Sequence, residues 1–262
     1  MTDLGLIETE AALRDVIRAQ LPLAAAPIPL RMAFHDAASY DPATGTGGAQ
    51  GLLRFARARE RDENRSFKQA IEAIGAARDQ HPELGWADVI AVAGAVAVEL
   101  CEGPVITVGL GRRDATEALD YPLPTEDIDG DDLRREFARR GFSDEDLVAL
   151  SGAHTLGGRV GGPAFTADPR RFSNSYFRCL LEGDREAGLT LLRSDRALVA
   201  HPVLRAHVER FAADQDAFFS AFADAYVRLT WLGQARPTAT NARSGKAFGR
   251  FGPPGDGDDA SR

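Results

Sequence analysis

Residues 86–100 read WADVIAVAGAVAVEL, and this stretch decides the fold. It is apolar nearly all round, so as a helix it has no face to give to water and must lie buried. Gly94, set among alanines, predicts close approach to another helix or to a flat ligand. On either side the chain is punctuated for helices. Residues 8–20 (ETEAALRDVIRAQ) carry apolar positions at three- and four-residue spacing and stop before Pro22. A proline-rich entry (Pro22, Pro27, Pro29) leads into IPLRMAFHDA (28–37), a second helix. Residues 64–80 read as a third, with Phe67, Ile71 and Ile74 on one stripe. Further helices are predicted over 131–140, 174–182, 201–209 and 211–232. Ser143 and Asp146 resemble a capping box that opens SDEDLVALSGAH (143–154). The best strand signal, ITVGL (106–110), is too short and isolated to found a sheet. GTGGAQG (45–51) and GGRVGG (157–162) read as loops, without the preceding strand or the spacing of a phosphate-binding loop. The prediction is an all-α chain, with the Gly/Asp/Pro-rich segment 244–262 a disordered tail.

Composition narrows the function classes. A chain of 262 residues is long enough to bury about 70–75% of its extended surface. Its 31 Lys and Arg against 39 Asp and Glu give a net charge of −8, which argues against nucleic acid or an anionic membrane as partner. No apolar run reaches the roughly 18 residues needed to span a bilayer, and the acidic start MTDLGLIETE does not read as a secretory signal. Cys101 and Cys179 are the only cysteines. That count excludes a disulfide framework and a thiolate metal site, and it points to a reducing compartment.

Chemistry gathers at a few positions. Arg31, Phe34 and His35 stand at i, i+3 and i+4, which puts a guanidinium, an aromatic ring and an imidazole on one helix face. The same three residues would also describe a surface Arg beside a satisfied core His. His154 closes LVALSGAH ahead of two glycines; a histidine at a helix end can equally serve as a cap or a dipole partner. Asp195 lies downstream in LLRSDRAL. A carboxylate that accepts the free N–H of a ligating imidazole fixes its tautomer and makes it a stronger donor, although spacing alone does not bring His154 and Asp195 together. His81, His201 and His207 sit in turn or surface contexts that need no function. Cys101, Trp86 and Trp231 read as packing residues.

PLRMAFHDAASYD, GGAQGLLRF, WADVIAVAGAVAVE with GPVITVGLGRRD, DLVALSGAHTLG, FSNSYFRCLL, SDRAL and FAADQDAFFSAFADAY occur in this order between residue 8 and about residue 233. Together they resemble the plant-type haem peroxidases, most nearly the intracellular branch of ascorbate peroxidases and ascorbate-peroxidase-related proteins. The resemblance implies one haem peroxidase domain over 1–243, with a distal part to about 130 and a proximal part from 131, and about ten helices with haem b between a distal and a proximal one. It implies His154 as the iron ligand with Asp195 as its hydrogen-bond partner. Arg31 and His35 would form the peroxide site, Phe34 would stack over the porphyrin, and Asn64 would accept the distal His N–H. Thr155, Thr166 and Asp168 match a proximal cation site, but Ser173 stands where an Asp is expected. One carboxylate and two hydroxyls make only a weak site for K⁺ or Ca²⁺.

Departures from the family bear on the reductant. The positions of the family's Lys and Cys ascorbate contacts are Leu23 and Ala25, and Arg159 is the basic residue left after the proximal His. Phe165 replaces the proximal Trp of ascorbate and cytochrome c peroxidases and cannot hold a stable cation radical. Phe34 excludes the distal adduct of catalase-peroxidases. The implied activity is reduction of hydrogen peroxide to water through an oxo-ferryl porphyrin-radical intermediate, with small aromatic or ascorbate-type one-electron donors. The implied setting is intracellular, cytosol or chloroplast stroma. Two rivals stand beside it. One is a haem-free peroxidase-like scaffold acting as an interaction protein. The other is a non-haem metal hydrolase using His35 and His154, for which no third ligand is visible.

Overall fold

In the computed structural model the chain folds into helices joined by loops; the structure describes residues 3–119, 121, 123, 127–159, 162–183 and 189–236. In chain order the described helices are α1 (Asp3–Gln20), α2 (Pro27–Ala37), α3 (Ala56–Arg59), α4 (Lys68–Gln80), α5 (Trp86–Leu100), α6 (Gly130–Ala138), α7 (Asp144–Ser151), α8 (Ser175–Glu182), α9 (Arg193–Ala200), α10 (Pro202–Ala213) and α11 (Gln215–Leu229). Short 3₁₀ turns lie at Leu23–Ala25, Leu52–Arg54, Asp62–Phe67 and Gly152–Thr155. Among the described residues there is no sheet, only isolated bridges pairing Asp41 with Thr46 and Gly158 with Ala164. The all-α expectation holds. The tail expected at 244–262 lies outside the described residues.

Caps explain where several helices begin. Pro27 occupies the first turn of α2, where a missing N–H costs nothing. Ser143 and Asp146 form the expected capping box, with bonds of 3.1 and 3.0 Å. Other boundaries differ from the sequence reading. The stretch expected as one helix over 64–80 opens with a 3₁₀ turn, and α4 starts only at Lys68. The predicted 211–232 helix is divided at Asp214, whose carboxylate accepts the Ala217 N–H at 2.9 Å and caps α11, while α10 runs on to Ala213. α9 escaped prediction because eight residues give little periodicity; Asp195, in its first turn, accepts the Leu192 N–H at 2.8 Å. Residues 106–110 form no strand. The N–H groups of Val108 and Gly109 go instead to the Glu10 carboxylate of α1, at 3.1 and 2.9 Å.

The core is built around α5, which is buried from Ala87 to Val98. One continuous apolar cluster runs from Leu13 of α1 to Leu229 of α11. α2 lies directly against α5, and Gly94 is where the two helices come closest. A Cβ there would stand 2.9 Å from Ala33 Cβ and 3.2 Å from Pro29 O, and would collide with the Tyr226 hydroxyl. The glycine therefore answers to a helix neighbour, not to a flat ligand. Two buried polar anchors complete the frame. Asp36 accepts the N–H groups of Gly51 and Leu52 at 2.8 and 2.6 Å, tying the glycine-rich loop to α2. Arg112 pairs with Asp88 at 2.8 Å and lies over the Trp231 ring at 4.2 Å, joining α5 to the segment after α11.

Gly94→Val is expected to destabilise the protein by about 1–3 kcal/mol through overpacking. That lowers the thermal midpoint by about 2–4 °C per kcal/mol, measured by circular dichroism. An unchanged midpoint would mean that α2 and α5 have room to separate.

Candidate active site

α2 carries the distal residues on one face. His35 is 7% exposed, and its Nδ1 lies 2.6 Å from Asn64 Oδ1. The Asn64 amide nitrogen donates to the Ala58 carbonyl at 2.7 Å, which fixes the amide so that its oxygen faces the imidazole. Nδ1 is therefore the protonated nitrogen, and Nε2 keeps a lone pair. Arg31 Nε donates toward that lone pair at 3.3 Å. Burial, then the Arg31 guanidinium, lower the His35 pKa from 6.5 to about 4, against smaller opposing effects from Asn64 and Glu63. The imidazole is neutral at physiological pH, as a general base must be. Asn64 sits in the 3₁₀ turn and caps no helix; its side chain is spent on His35 and Ala58.

The proximal side is built from α7, α8 and α9. His154 stands in the 3₁₀ turn that follows α7, and its Nδ1 lies 2.8 Å from Asp195 Oδ1. The pair that spacing could not connect does meet. Asp195 is 1% exposed and accepts two more hydrogen bonds, from the Tyr176 hydroxyl at 2.6 Å and the Leu192 N–H at 2.8 Å. Burial alone would raise its pKa; the His154 imidazole beside it and the hydrogen bonds from Tyr176 and Leu192 outweigh that and hold it below the ordinary carboxylate range. Phe165 stacks on the His154 ring, with centroids 4.5 Å apart and planes 13° from parallel.

Both imidazoles line one cavity of about 940 Å³, together with Arg31, Phe34 and Phe165. Cofactor pockets span about 300–1,000 Å³, so this one has room for a large group. Its walls are largely apolar, among them Leu30, Phe137, Leu150 and Leu156. Arg159 is exposed and also lines the cavity, which puts it where the cavity meets solvent. Ala24, in the turn holding Leu23 and Ala25, lines it too. Thr155, Thr166 and Asp168 form no carboxylate cluster. The Thr166 hydroxyl donates to the Thr155 carbonyl at 3.0 Å, the Thr155 and Ser175 hydroxyls lie 3.2 Å apart, and Asp168 faces the Arg170 N–H at 3.4 Å. Among the described residues no group of three or more His, Cys, Asp or Glu could hold a metal ion.

Two side chains escaped the sequence reading. Phe67, read as core, makes an edge contact with His35 at 5.1 Å and lies under Arg31 at 5.7 Å. Tyr176 lay inside a quoted stretch, but nothing in the spacing tied its hydroxyl to Asp195.

The peroxidase family profile matches residues 9–214. The chain belongs to the peroxidase family. Its relatives include the probable L-ascorbate peroxidase 3, peroxisomal, of Oryza sativa subsp. japonica, 42% identical over 238 residues that cover 88% of this chain and 81% of the relative. L-ascorbate peroxidase 5, peroxisomal, of Arabidopsis thaliana is 40% identical, covering 87% and 83%. L-ascorbate peroxidase 2, cytosolic, of Oryza sativa subsp. japonica is 41% identical, covering 80% and 86%. This peroxidase is an oxidoreductase that reduces hydrogen peroxide with haem b as its prosthetic group. The cavity fits that group: the His154 side chain lines it and is 34% exposed, and Nδ1 is occupied by Asp195 while Nε2 stays available as a ligand. Nothing in the site or the relatives supports the haem-free scaffold.

The His35 environment sets a pH profile for this peroxidase. A reaction with hydrogen peroxide that needs neutral His35 should keep a flat rate constant from about pH 8 to pH 5 and fall to half near pH 4, where the imidazole becomes protonated. The unfolded chain takes up this proton near pH 6.5 and the folded one only near pH 4, so the same group lowers stability as pH falls through that window. Stopped-flow traces giving an inflection near pH 6.5 would contradict the burial argument.

Proposed function

We propose that peroxide chemistry in this protein is divided between two hydrogen-bonded imidazoles that line the cavity where haem would be held. The observation that carries this reading is that His35 and His154 line the same cavity, each anchored through Nδ1, at 2.6 Å to Asn64 and 2.8 Å to Asp195. His154 would hold the iron through Nε2, and Phe34 would lie against the porphyrin. Haem, when bound, supplies a redox centre that accepts two oxidising equivalents from peroxide and returns to rest by two one-electron reductions.

The chain's own residues move the proton. Neutral His35 takes it from one peroxide oxygen at Nε2 and delivers it to the other, which leaves as water. Asn64 holds Nδ1–H throughout, so the same nitrogen serves as base and then as acid. Arg31, permanently charged, stabilises the negative charge that develops as the O–O bond breaks. Asp195 keeps His154 in one tautomer and makes it a stronger electron donor.

The reductant in this reading is a small aromatic or ascorbate-type molecule. The relatives are named as ascorbate peroxidases, and Arg159 at the cavity's edge offers a positive charge for an anionic donor. Ala24, exposed and also lining the cavity, adds apolar surface there, which favours uncharged phenols. The two cysteines, neither of them in a disulfide, and the cytosolic and peroxisomal relatives support an intracellular setting, cytosol or chloroplast stroma.

His35→Ala should slow the reaction with hydrogen peroxide by about 10²–10⁴-fold, the worth of a positioned acid–base group, while the haem absorbance band stays in place. His154→Ala should instead lower haem occupancy or change the iron spin state. Peroxide reactivity at the parent rate in the His35 variant would reject the division of roles. Arg159→Ala should lower kcat/KM for ascorbate and leave that for an uncharged phenol unchanged.

A further inference from the structure

Asp195 carries a second donor on the oxygen that anchors His154. The Tyr176 hydroxyl donates to Oδ1 at 2.6 Å, and the His154 Nδ1–H reaches the same Oδ1 at 2.8 Å; the Leu192 N–H takes Oδ2. Tyr176 is fully buried, and its ring stands edge-on to the His154 ring, with centroids 5.7 Å apart and planes at 88°. The Phe177 ring also contacts it, with centroids 5.2 Å apart. A phenol held this way has little freedom to turn its hydroxyl elsewhere. Two donors on one oxygen draw on the same lone-pair density, so each weakens the other's bond.

We propose that Tyr176 is a positioning residue that tunes His154 through Asp195: its hydroxyl limits how strongly the carboxylate pulls on the Nδ1 proton. The electron density that His154 offers at Nε2 is thereby set lower than a carboxylate devoted to the histidine alone would make it. Phe165, stacked on the same imidazole, has no donor to give, so the side-chain hydrogen bonds at Asp195 come from His154 and Tyr176 alone among the described residues. The inference rests on His154 being the iron ligand, as proposed above. Hydrogen bonds to a metal-ligating histidine are a recognised lever on ligand basicity and redox potential.

The test uses the haem-loaded protein and two readouts apart from turnover: the iron–histidine stretching frequency of the ferrous form by resonance Raman, and the ferric/ferrous midpoint potential. Tyr176→Phe keeps the ring and removes the hydroxyl. It should raise the stretching frequency and lower the potential, because Asp195 then pulls harder on His154. Asp195→Asn should shift both in the opposite sense, and in that background the Tyr176→Phe effect should vanish. Incorporation of 3-fluorotyrosine at the chain's four tyrosines makes the phenol a stronger donor without removing it, and it should shift both quantities opposite to Tyr176→Phe. Unchanged values in Tyr176→Phe, a shift in the other direction, or a shift of equal size in the Asp195→Asn background would overturn the proposal. A parent protein with no iron–histidine band would overturn the ligand assignment itself, and the proposal with it. A normal parent band that ignores Tyr176 overturns only the tuning role.

Discussion

Asp195 is a carboxylate removed almost entirely from water, and a charge in that position survives only if it is paired and hydrogen-bonded. Three donors meet it, one from each of three places in the chain: the turn after α7, the body of α8 and the entry to α9. Apolar packing between those elements fixes how closely they approach but not how a ring is rotated. The carboxylate supplies the rotation. With Nδ1 of His154 committed to Asp195, Nε2 is left for the cavity, and Phe165 stacked on the ring keeps it from tilting.

The distal side repeats the same logic with a neutral partner. A carboxylate beside His35 would favour the imidazolium and remove the base at physiological pH. Asn64 offers an oxygen of the right geometry without the charge, and its amide is oriented by the Ala58 carbonyl. Burial and Arg31 then push His35 toward the neutral form. One imidazole is made electron-rich by a charged acceptor, while the other is kept neutral by an uncharged one. In the roles proposed for them, the difference between a ligand and a base lies in what holds Nδ1.

Much of this was legible in the sequence, for physical reasons that differ by residue. α5 was readable because a helix apolar all round can only be buried, and the α2 constellation because i, i+3 and i+4 must share a face. The capping box at Ser143 was readable because both partners lie within four residues. Contacts set by tertiary approach were not. Gly94 announced a close neighbour but could not say whether it was a helix or a ligand. The break at Asp214 was hidden in a stretch whose apolar spacing continues across it. The meeting of His154 with Asp195 was implied by a family resemblance and not by spacing. Tyr176 and Phe67 were invisible as site residues because aromatic rings at such positions ordinarily fill a core, and only the placement of a hydroxyl or a ring edge gives them another role.

The replacement at position 165 changes what the proximal pocket can do. An indole stacked on the iron-ligating imidazole can both donate a hydrogen bond to the buried carboxylate and give up an electron; a phenyl ring can do neither. Asp195 nevertheless remains fully satisfied, because Tyr176 reaches it from α8. The two properties that one side chain could combine are therefore separated in this chain. Hydrogen bonding to Asp195 is retained through a phenol, while the ring nearest the ligand is redox-inert. The electron donor we propose is accordingly a small molecule that reaches the cavity's edge. The apolar surface around Ala24 and the charge of Arg159 lie where such a donor would arrive.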